Sequence, residues 1–241
     1  MFMRVTFLGT SHGVPEADRY CSSTLVSVGG NRYLIDAGGP VMDMLLRRGI
    51  QPSEISAIFV THMHGDHTNG LPAFTDLISW YFKSAVPYIY LPDQRGVDAL
   101  RLWNTAIHGR ESRILNYKVF EEGLMFNDGV VRVTAIKTRH TARSFAFLLE
   151  AGEDRILFTG DLSSSLEDFP RYCLENEVSA VVCESAHFPV TAAAKLFAGC
   201  KTDRIIINHI APSREPAIKE LLDSNPPYEL IAAFDGMEIE I

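Results

Sequence analysis

Cysteine is scarce. The 241-residue chain has four, Cys21, Cys173, Cys183 and Cys200, and none shows zinc-finger spacing. A disulfide framework is therefore not what organises the fold, and buried thiols in a reducing cytoplasm are expected. Positive charge is also short: 22 Lys and Arg stand against 30 Asp and Glu, a formal net charge of −8. Nucleic-acid affinity rests largely on basic side chains, so a broad phosphate-binding surface is not expected, while a small phosphorylated substrate stays compatible. No window holds 18 apolar residues, so neither a helical membrane span nor a membrane partner is expected. The first eight residues are too short for the apolar core of a leader and run straight into Gly9-Thr10, which again points to the cytoplasm. No linker, charge run or low-complexity tract interrupts the chain, which reads as one domain over 1–241.

What is present is β-rich sequence with helical insertions. Residues 4–8, 23–28 and 32–35 read as strands, the last two joined by the hairpin signal Gly29-Gly30-Asn31. Helical spacing covers 40–48, stopping at Gly49, and then 71–82 and 93–107, with strands at 57–60 and 88–91. A series of short strands follows at 113–120, 124–126, 130–137, 144–150 and 155–159. From there helices at 166–176, 190–197 and 215–224 alternate with strands at 180–183, 204–208, 229–233 and 237–241. Each half passes from several strands to alternating strand and helix, which predicts an α/β class with two sheets inside and helices outside.

One stretch is far denser in chemistry than the rest: Thr61-His62-Met63-His64-Gly65-Asp66-His67, directly after an apolar strand. A polar turn is the plain alternative, but three imidazoles and a carboxylate in six residues point to metal binding. In extended backbone His62 and His64 project the same way and can share an ion. Gly65 lets the chain turn, so Asp66 and His67 point elsewhere, towards a second ion. The remaining ligands must come from further along. His140, Asp161 and His209 each end a strand-like run, which is where an α/β scaffold holds a rigid site.

The series His62-x-His64-x-Asp66-His67, then His140, Asp161 and His209, resembles the signature of the metallo-β-lactamase fold superfamily over nearly the whole chain. The resemblance implies a four-layer αββα sandwich holding two divalent ions, usually Zn2+, with Mn2+ or Fe2+ compatible with the oxygen and imidazole set. It places one ion on His62, His64 and His140 and the other on Asp66, His67 and His209, with Asp161 bridging. Such ions activate a bridging water as a hydroxide nucleophile near neutral pH, and Asp66 could orient that water as well as ligate.

Three stretches are similar to the ribonuclease Z branch: Phe7-Leu8-Gly9-Thr10 with Gly13-Val14-Pro15 and Arg19-x-x-Ser22-Ser23; the histidine cluster with Gly70-Leu71-Pro72; and Glu184-Ser185-Ala186-His187 placed 22 residues before His209. The branch implies that His187, supported by Glu184, is the general acid for the leaving oxygen. The chain departs from that branch at Ala17 and Tyr20, and its Arg214 comes one place late. His140 and Asp161 are 21 positions apart, leaving no room for the branch's long tRNA-gripping arm. The expected activity is thus a phosphodiesterase acting on a small or flexible substrate, and tRNA 3′ processing is not expected. The alternatives are a lactonase or thioesterase of the same fold, or a non-catalytic metal-binding module. Glyoxalase II-like thioesterases append a helical region, whereas this chain ends in a strand.

Lesser candidates have plainer readings. His12 lies in a loop that could face the site, although a structural role is the simpler expectation. Arg19, Arg143, Ser144 and Arg214 suit surface or salt-bridge roles better than ligand binding. The apolar stretch 71–82 offers an interface for a homodimer.

Overall fold

Apolar residues that alternate in side along short β-branched runs give each strand two buried faces, which only a layered sandwich can cover. The computed structural model describes residues 2–14, 16–110 and 113–241; Pro15 of the first-loop motif lies outside them. The first half runs β1 (Arg4–Gly9), β2 (Ser23–Val28), β3 (Asn31–Ile35), α1 (Val41–Arg47), β4 (Ile55–Phe59), α2 (Gly65–Thr68), α3 (Leu71–Trp80), β5 (Tyr88–Leu91), α4 (Gln94–His108) and β6 (Asn116–Val119). The second runs β7 (Gly123–Asn127), β8 (Arg132–Lys137), β9 (Phe145–Ala151), β10 (Asp154–Phe158), α5 (Tyr172–Glu175), β11 (Ala180–Ser185), α6 (Val190–Gly199), β12 (Arg204–Ile210), α7 (Glu215–Asp223), β13 (Glu229–Ala232) and β14 (Glu238–Glu240). No helix among the described residues is long and apolar enough to cross a membrane.

Two seven-stranded sheets result, ordered β14-β1-β2-β3-β4-β5-β6 and β13-β12-β11-β10-β9-β8-β7. Both are mixed. Strands β1 to β3 pair antiparallel and β3 to β6 parallel; β7 to β10 pair antiparallel and β10 to β13 parallel. Strand β4 shows how the layers arise. Ala57 and Phe59 point into the central core between the sheets, while Ile58 and Val60 point to the outer core under α1, α3 and α4. A second outer core lies between the other sheet and α5 to α7, around Leu157, Phe188, Phe197 and Ile207. The layer order is αββα.

Phe59 sits at the centre of the inter-sheet core. Its ring packs on Phe126 at 5.1 Å, Tyr90 at 5.4 Å and Phe147 at 6.3 Å between centroids. These contacts tie β4, which leads into the histidine stretch, to the opposite sheet. Phe59→Ala is expected to cost about 3–5 kcal/mol, read as a lower urea midpoint with an unchanged slope; a loss below about 1 kcal/mol would contradict this packing.

Two expectations need correction. The helix at 166–176 is only the single turn α5, Tyr172–Glu175. Leu166 has a left-handed φ of 59°, Pro170 cannot donate to a helical ladder, and the Asp168 carboxylate takes Ser163 N and Arg139 N into a loop. The strand at 113–120 is confined to Asn116–Val119, and Arg113 donates instead to the carbonyls of Lys83 and Ala85. In α3, Leu71, Phe74 and Ile78 are buried in the outer core. A second copy docking there would meet exposed residues such as Tyr81 instead.

Candidate metal centre

Parallel pairing carries β3, β4, β10, β11 and β12 to one edge of the sandwich, and their C-terminal ends hold the site. Asp36 follows β3, the histidine stretch follows β4, His140 follows β8, Asp161 follows β10, Glu184 and His187 sit at the end of β11, and His209 lies in the last turn of β12. Local features aim these side chains. His64 is extended and Gly65 opens α2, so Asp66 and His67 turn away from His62 and His64. Gly160, at φ +57°, brings the chain within 2.7 Å, measured from an ideal Cβ, of the Phe145 carbonyl; a side chain there would push Asp161 out of place. The β11–β12 ladder shifts register between Glu184–Asn208 and Ser185–Ile210, which leaves His209 as the bulged residue with φ 51°. A bulge re-aims a side chain, here into the site.

The structure brings together the four candidates of the histidine stretch and the three that end strand-like runs. Potential ligand atoms of His62, His64, His140 and Asp161 lie within 4.8 Å of one another, as do those of Asp66, His67 and His209. Asp161 stands between the groups: its Oδ2 is 3.6 Å from Nε2 of both His62 and His140 and 3.5 Å from His209 Nε2, and its Oδ1 is 3.4 Å from His67 Nε2. Asp66 Oδ2 is 3.3 Å from His67 Nε2 and 3.6 Å from His209 Nε2.

These spacings fit shared cations better than hydrogen bonds. Ligands about 2.0–2.1 Å from a tetrahedral ion stand roughly 3.3–3.5 Å from each other. His62 Nε2, His67 Nε2 and Asp161 Oδ1 are buried and have no hydrogen-bond partner, which is costly for polar atoms unless a cation accepts them. The charge count agrees. Asp36, Asp161 and Glu184 are 5%, 3% and 2% exposed, and Asp66 is close to them, yet among the described residues no lysine or arginine forms an ion pair with any of the four. Buried carboxylates of this number require compensating positive charge. Two divalent ions would supply it.

The titration behaviour follows the same geometry. Burial pushes the His62 pKa down to about 2 and also lowers that of His140, which keeps both in the neutral form that ligates metal. Burial alone would raise Asp161 and Asp66, but the His209 and His67 imidazoles beside Asp161, and His67 beside Asp66, hold both carboxyls well below the usual range. Burial disfavours charge on His67 and His209, yet the Asp161 carboxylate, joined by Asp36 at His67, raises both.

Supporting contacts fix the rings. His67 Nδ1 meets Asp36 Oδ2 at 2.7 Å, and Asp36 also accepts from Thr61 N at 2.7 Å and from Thr61 Oγ1 at 2.9 and 3.0 Å. Asp36 is itself left-handed, at φ 60°. His209 Nδ1 lies 2.8 Å from Ser22 Oγ and 3.0 Å from the Ser11 carbonyl, and His62 Nδ1 is 3.1 Å from Thr61 Oγ1. A partner on Nδ1 leaves Nε2 for the metal. Asp36 was not among the sequence candidates. Its signal was the same as that of the ligands, an acidic residue ending an apolar strand and followed by small residues.

His187 and Glu184 form a separate pair at the rim. His187 Nδ1 lies 2.8 and 2.9 Å from the two Glu184 oxygens and 3.8 Å from Asp161 Oδ2. Glu184 also accepts from the backbone N–H of Leu162, Ala186 and His187, so it is held rigidly. The hydrogen bond that His187 donates to the Glu184 carboxylate raises the His187 pKa above that of an ordinary histidine. The ring is 34% exposed and borders an open cavity of about 250 Å3 shared with His12, His64, Asp66, Asp161 and His209. Arg19 is bound by Glu16 and Glu215, Arg143 by Glu121, and Ser144 accepts from Thr138 and Thr141, so none of these serves the cavity directly.

Comparison with known proteins bears on this arrangement. The sequence model of the metallo-beta-lactamase superfamily matches residues 17–209. Ribonuclease Z of Listeria monocytogenes serotype 4b is 34% identical over 153 residues, which are 60% of this chain and 48% of that protein; the chain thus spans about half the length of the curated relatives it matches. Among solved structures, the metallo-beta-lactamase fold protein YhfI from Bacillus subtilis superposes with a TM-score of 0.81 at 18% identity, covering 100% of both chains. Human tRNase Z, short form, does so with a TM-score of 0.74 at 21% identity, covering 98% of each. At these identities the structural likeness speaks for the fold.

Proposed function

The chain belongs to the metallo-β-lactamase superfamily, and from that premise we propose that it is a two-metal phosphodiesterase whose proton donor is His187. The observation that carries the reading is the His187–Glu184 pair, set 3.8 Å from Asp161 at the edge of the ligand clusters. His62, His64 and His140 would hold one ion and Asp66, His67 and His209 the other, with Asp161 between them. Bound there, two divalent ions supply Lewis acidity and an activated water. An all-imidazole-and-carboxylate shell suits Zn2+, with Mn2+ and Fe2+ as alternatives.

The chain's own residues do the rest. Asp66 borders the cavity and presents its carboxylate to the attacking side. His187, its Nδ1–H held by Glu184, keeps Nε2 for the departing oxygen, to which it delivers a proton. The raised pKa keeps the acid form present closer to neutral pH. A pair of this kind is of little use to a thioesterase, whose thiolate leaves without a proton.

The substrate reading is a small or flexible phosphodiester. The interval between His140 and Asp161 is filled by the β9–β10 hairpin, so no arm extends there to grip a folded RNA. Activity on tRNA 3′ ends, the work that the relatives' names suggest, is therefore not proposed.

The test is hydrolysis of bis-p-nitrophenyl phosphate beside a dialkyl phosphodiester, a lactone and a thioester, with zinc or manganese added. The phosphodiesters should turn over and His64→Ala should abolish it. His187→Ala should slow loss of a poorly leaving alkoxide by about 10²–10⁴-fold and loss of p-nitrophenolate far less. Faster turnover of the lactone or thioester, unaffected by His187→Ala, would favour those chemistries; no turnover in any arm would leave a metal-binding module.

A further inference from the structure

The cavity beside His187 contains a second imidazole that the mechanism above leaves unused. We propose that His12 contacts the substrate, its Nε2–H donating to a non-bridging phosphoryl oxygen, and that it makes the site selective for a singly charged phosphodiester. The inference rests on the phosphodiesterase reading and adds a specificity-determining residue to it.

The first-loop position is well fixed. Ile210 N donates to the Thr10 carbonyl at 2.9 Å, and Asp235 accepts from Thr10 N, Thr10 Oγ1 and Tyr20 N at 2.6–2.8 Å. Both ends of the loop are thereby tied to the strand that carries His209 and to the turn after β13. Gly13 then packs over Asp66, where a Cβ would lie 3.6 Å from Oδ2. His12, next in line, borders the same cavity as His64, Asp66 and His187.

The ring has one donor to spare. Its Nδ1 accepts from Val14 N at 3.2 Å, which puts the ring proton on Nε2. The nearest acidic oxygen to Nε2 is Glu16 Oε1 at 4.0 Å, beyond hydrogen-bonding range, and that oxygen already accepts from Ser11 Oγ at 2.6 Å. With 21% of the side chain exposed, Nε2–H can be offered to a ligand.

Charge around the cavity narrows the ligand. Among the described residues no lysine or arginine lines it. Arg19 is spent on Glu16 and Glu215, and Arg143 on Glu121 and two backbone carbonyls. Arg214 stands behind Ala186 with Nε on its carbonyl at 3.4 Å. A polyanion would gain little here, in a chain of net charge −8. One phosphodiester charge, met by one ring N–H beside the ligand clusters, is the load the mouth suits.

The experiment uses the metal-loaded protein and methyl p-nitrophenyl phosphate. His12→Ala should raise KM about tenfold, a typical loss for one hydrogen bond to a charged group, with kcat within about twofold; His12→Gln, which keeps an amide N–H near the Nε2 position, should recover most of it. Dimethyl phosphate should shift the His12 ring resonances in 1H–15N spectra of the wild type. Between about 50 and 200 mM salt kcat/KM should change by less than about twofold. The proposal is overturned by an unchanged KM in His12→Ala, by a KM rise in Arg214→Ala instead, or by a preference for an oligoribonucleotide with steep salt dependence. Wild-type turnover with those outcomes removes the role of His12 alone; absence of any phosphodiester turnover removes the parent reading with it.

Discussion

Asp161→Asn protein should retain its fold, bind fewer than two metal equivalents, and lose hydrolytic activity by roughly 10³-fold or more, because Lewis-acid stabilisation is worth several kcal/mol. The expectation rests on position. Asp161 is the one carboxylate within 3.4–3.6 Å of imidazoles from both ligand groups. An amide in its place offers a single neutral oxygen where two charged ones faced His67 and His209. Asn is preferred to Ala because it preserves volume in a site that is 3% exposed and avoids a cavity that could unfold the loop. Metal content by mass spectrometry and turnover of a phosphodiester give the result. Two tightly held equivalents with near-normal rates would show that Asp161 is only a spectator.

Replacing Asp36 should have the second largest effect, although it is not in either ligand group. Its carboxylate receives Thr61 N, Thr61 Oγ1 and the His67 ring, all buried. Asp36→Ala leaves these donors without an acceptor, at a cost of about 3–5 kcal/mol in stability. Metal affinity should fall by about 10–100-fold as well, since the His67 ring loses its orienting partner. Asp36→Asn separates the two effects. The amide can still accept from Thr61 N, but its NH2 group facing His67 Nδ1 demands an acceptor there. The ring proton then moves to Nε2, the atom needed for the metal. That variant should unfold at nearly the wild-type urea concentration while losing affinity for one ion. Equal metal affinity in wild type and Asp36→Asn would argue that the His67 tautomer is not set from behind.

The ligand candidates were legible because their chemistry is dense and their position regular. Four polar ligands after one apolar strand have few other uses, and His140, Asp161 and His209 each end a run of buried residues. The layer order was also readable, since strands such as β4 and β12 are apolar on both faces. Residues 166–176 misled for a physical reason. Leu166, Phe169 and Cys173 have helical spacing and do pack into the outer core, but Leu166 and Phe169 reach it from a loop held by Asp168 and only Cys173 from the single turn α5. Burial does not distinguish the two. Asp36 and His12 were harder still. Asp36 ends an apolar strand as the ligands do, but its link to Thr61 and His67, like the placing of His12 beside the cavity, arises only once the sandwich is packed.

The ligand groups straddle the two sheets. Asp66 and His67 come from the edge of the first and His209 from the second; His62 and His64 from the first, His140 and Asp161 from the second. Each ion bound there would therefore be a cross-brace between the two sheets, added to the apolar core and to polar links such as Tyr33 Oη to Asp128 and Phe145 N to the Thr61 carbonyl. An ion held by the native sandwich and not by the unfolded chain adds RT ln(1 + [M]/Kd) to its stability. The supply of free metal in the surroundings then governs how much folded protein exists, quite apart from how fast each molecule works.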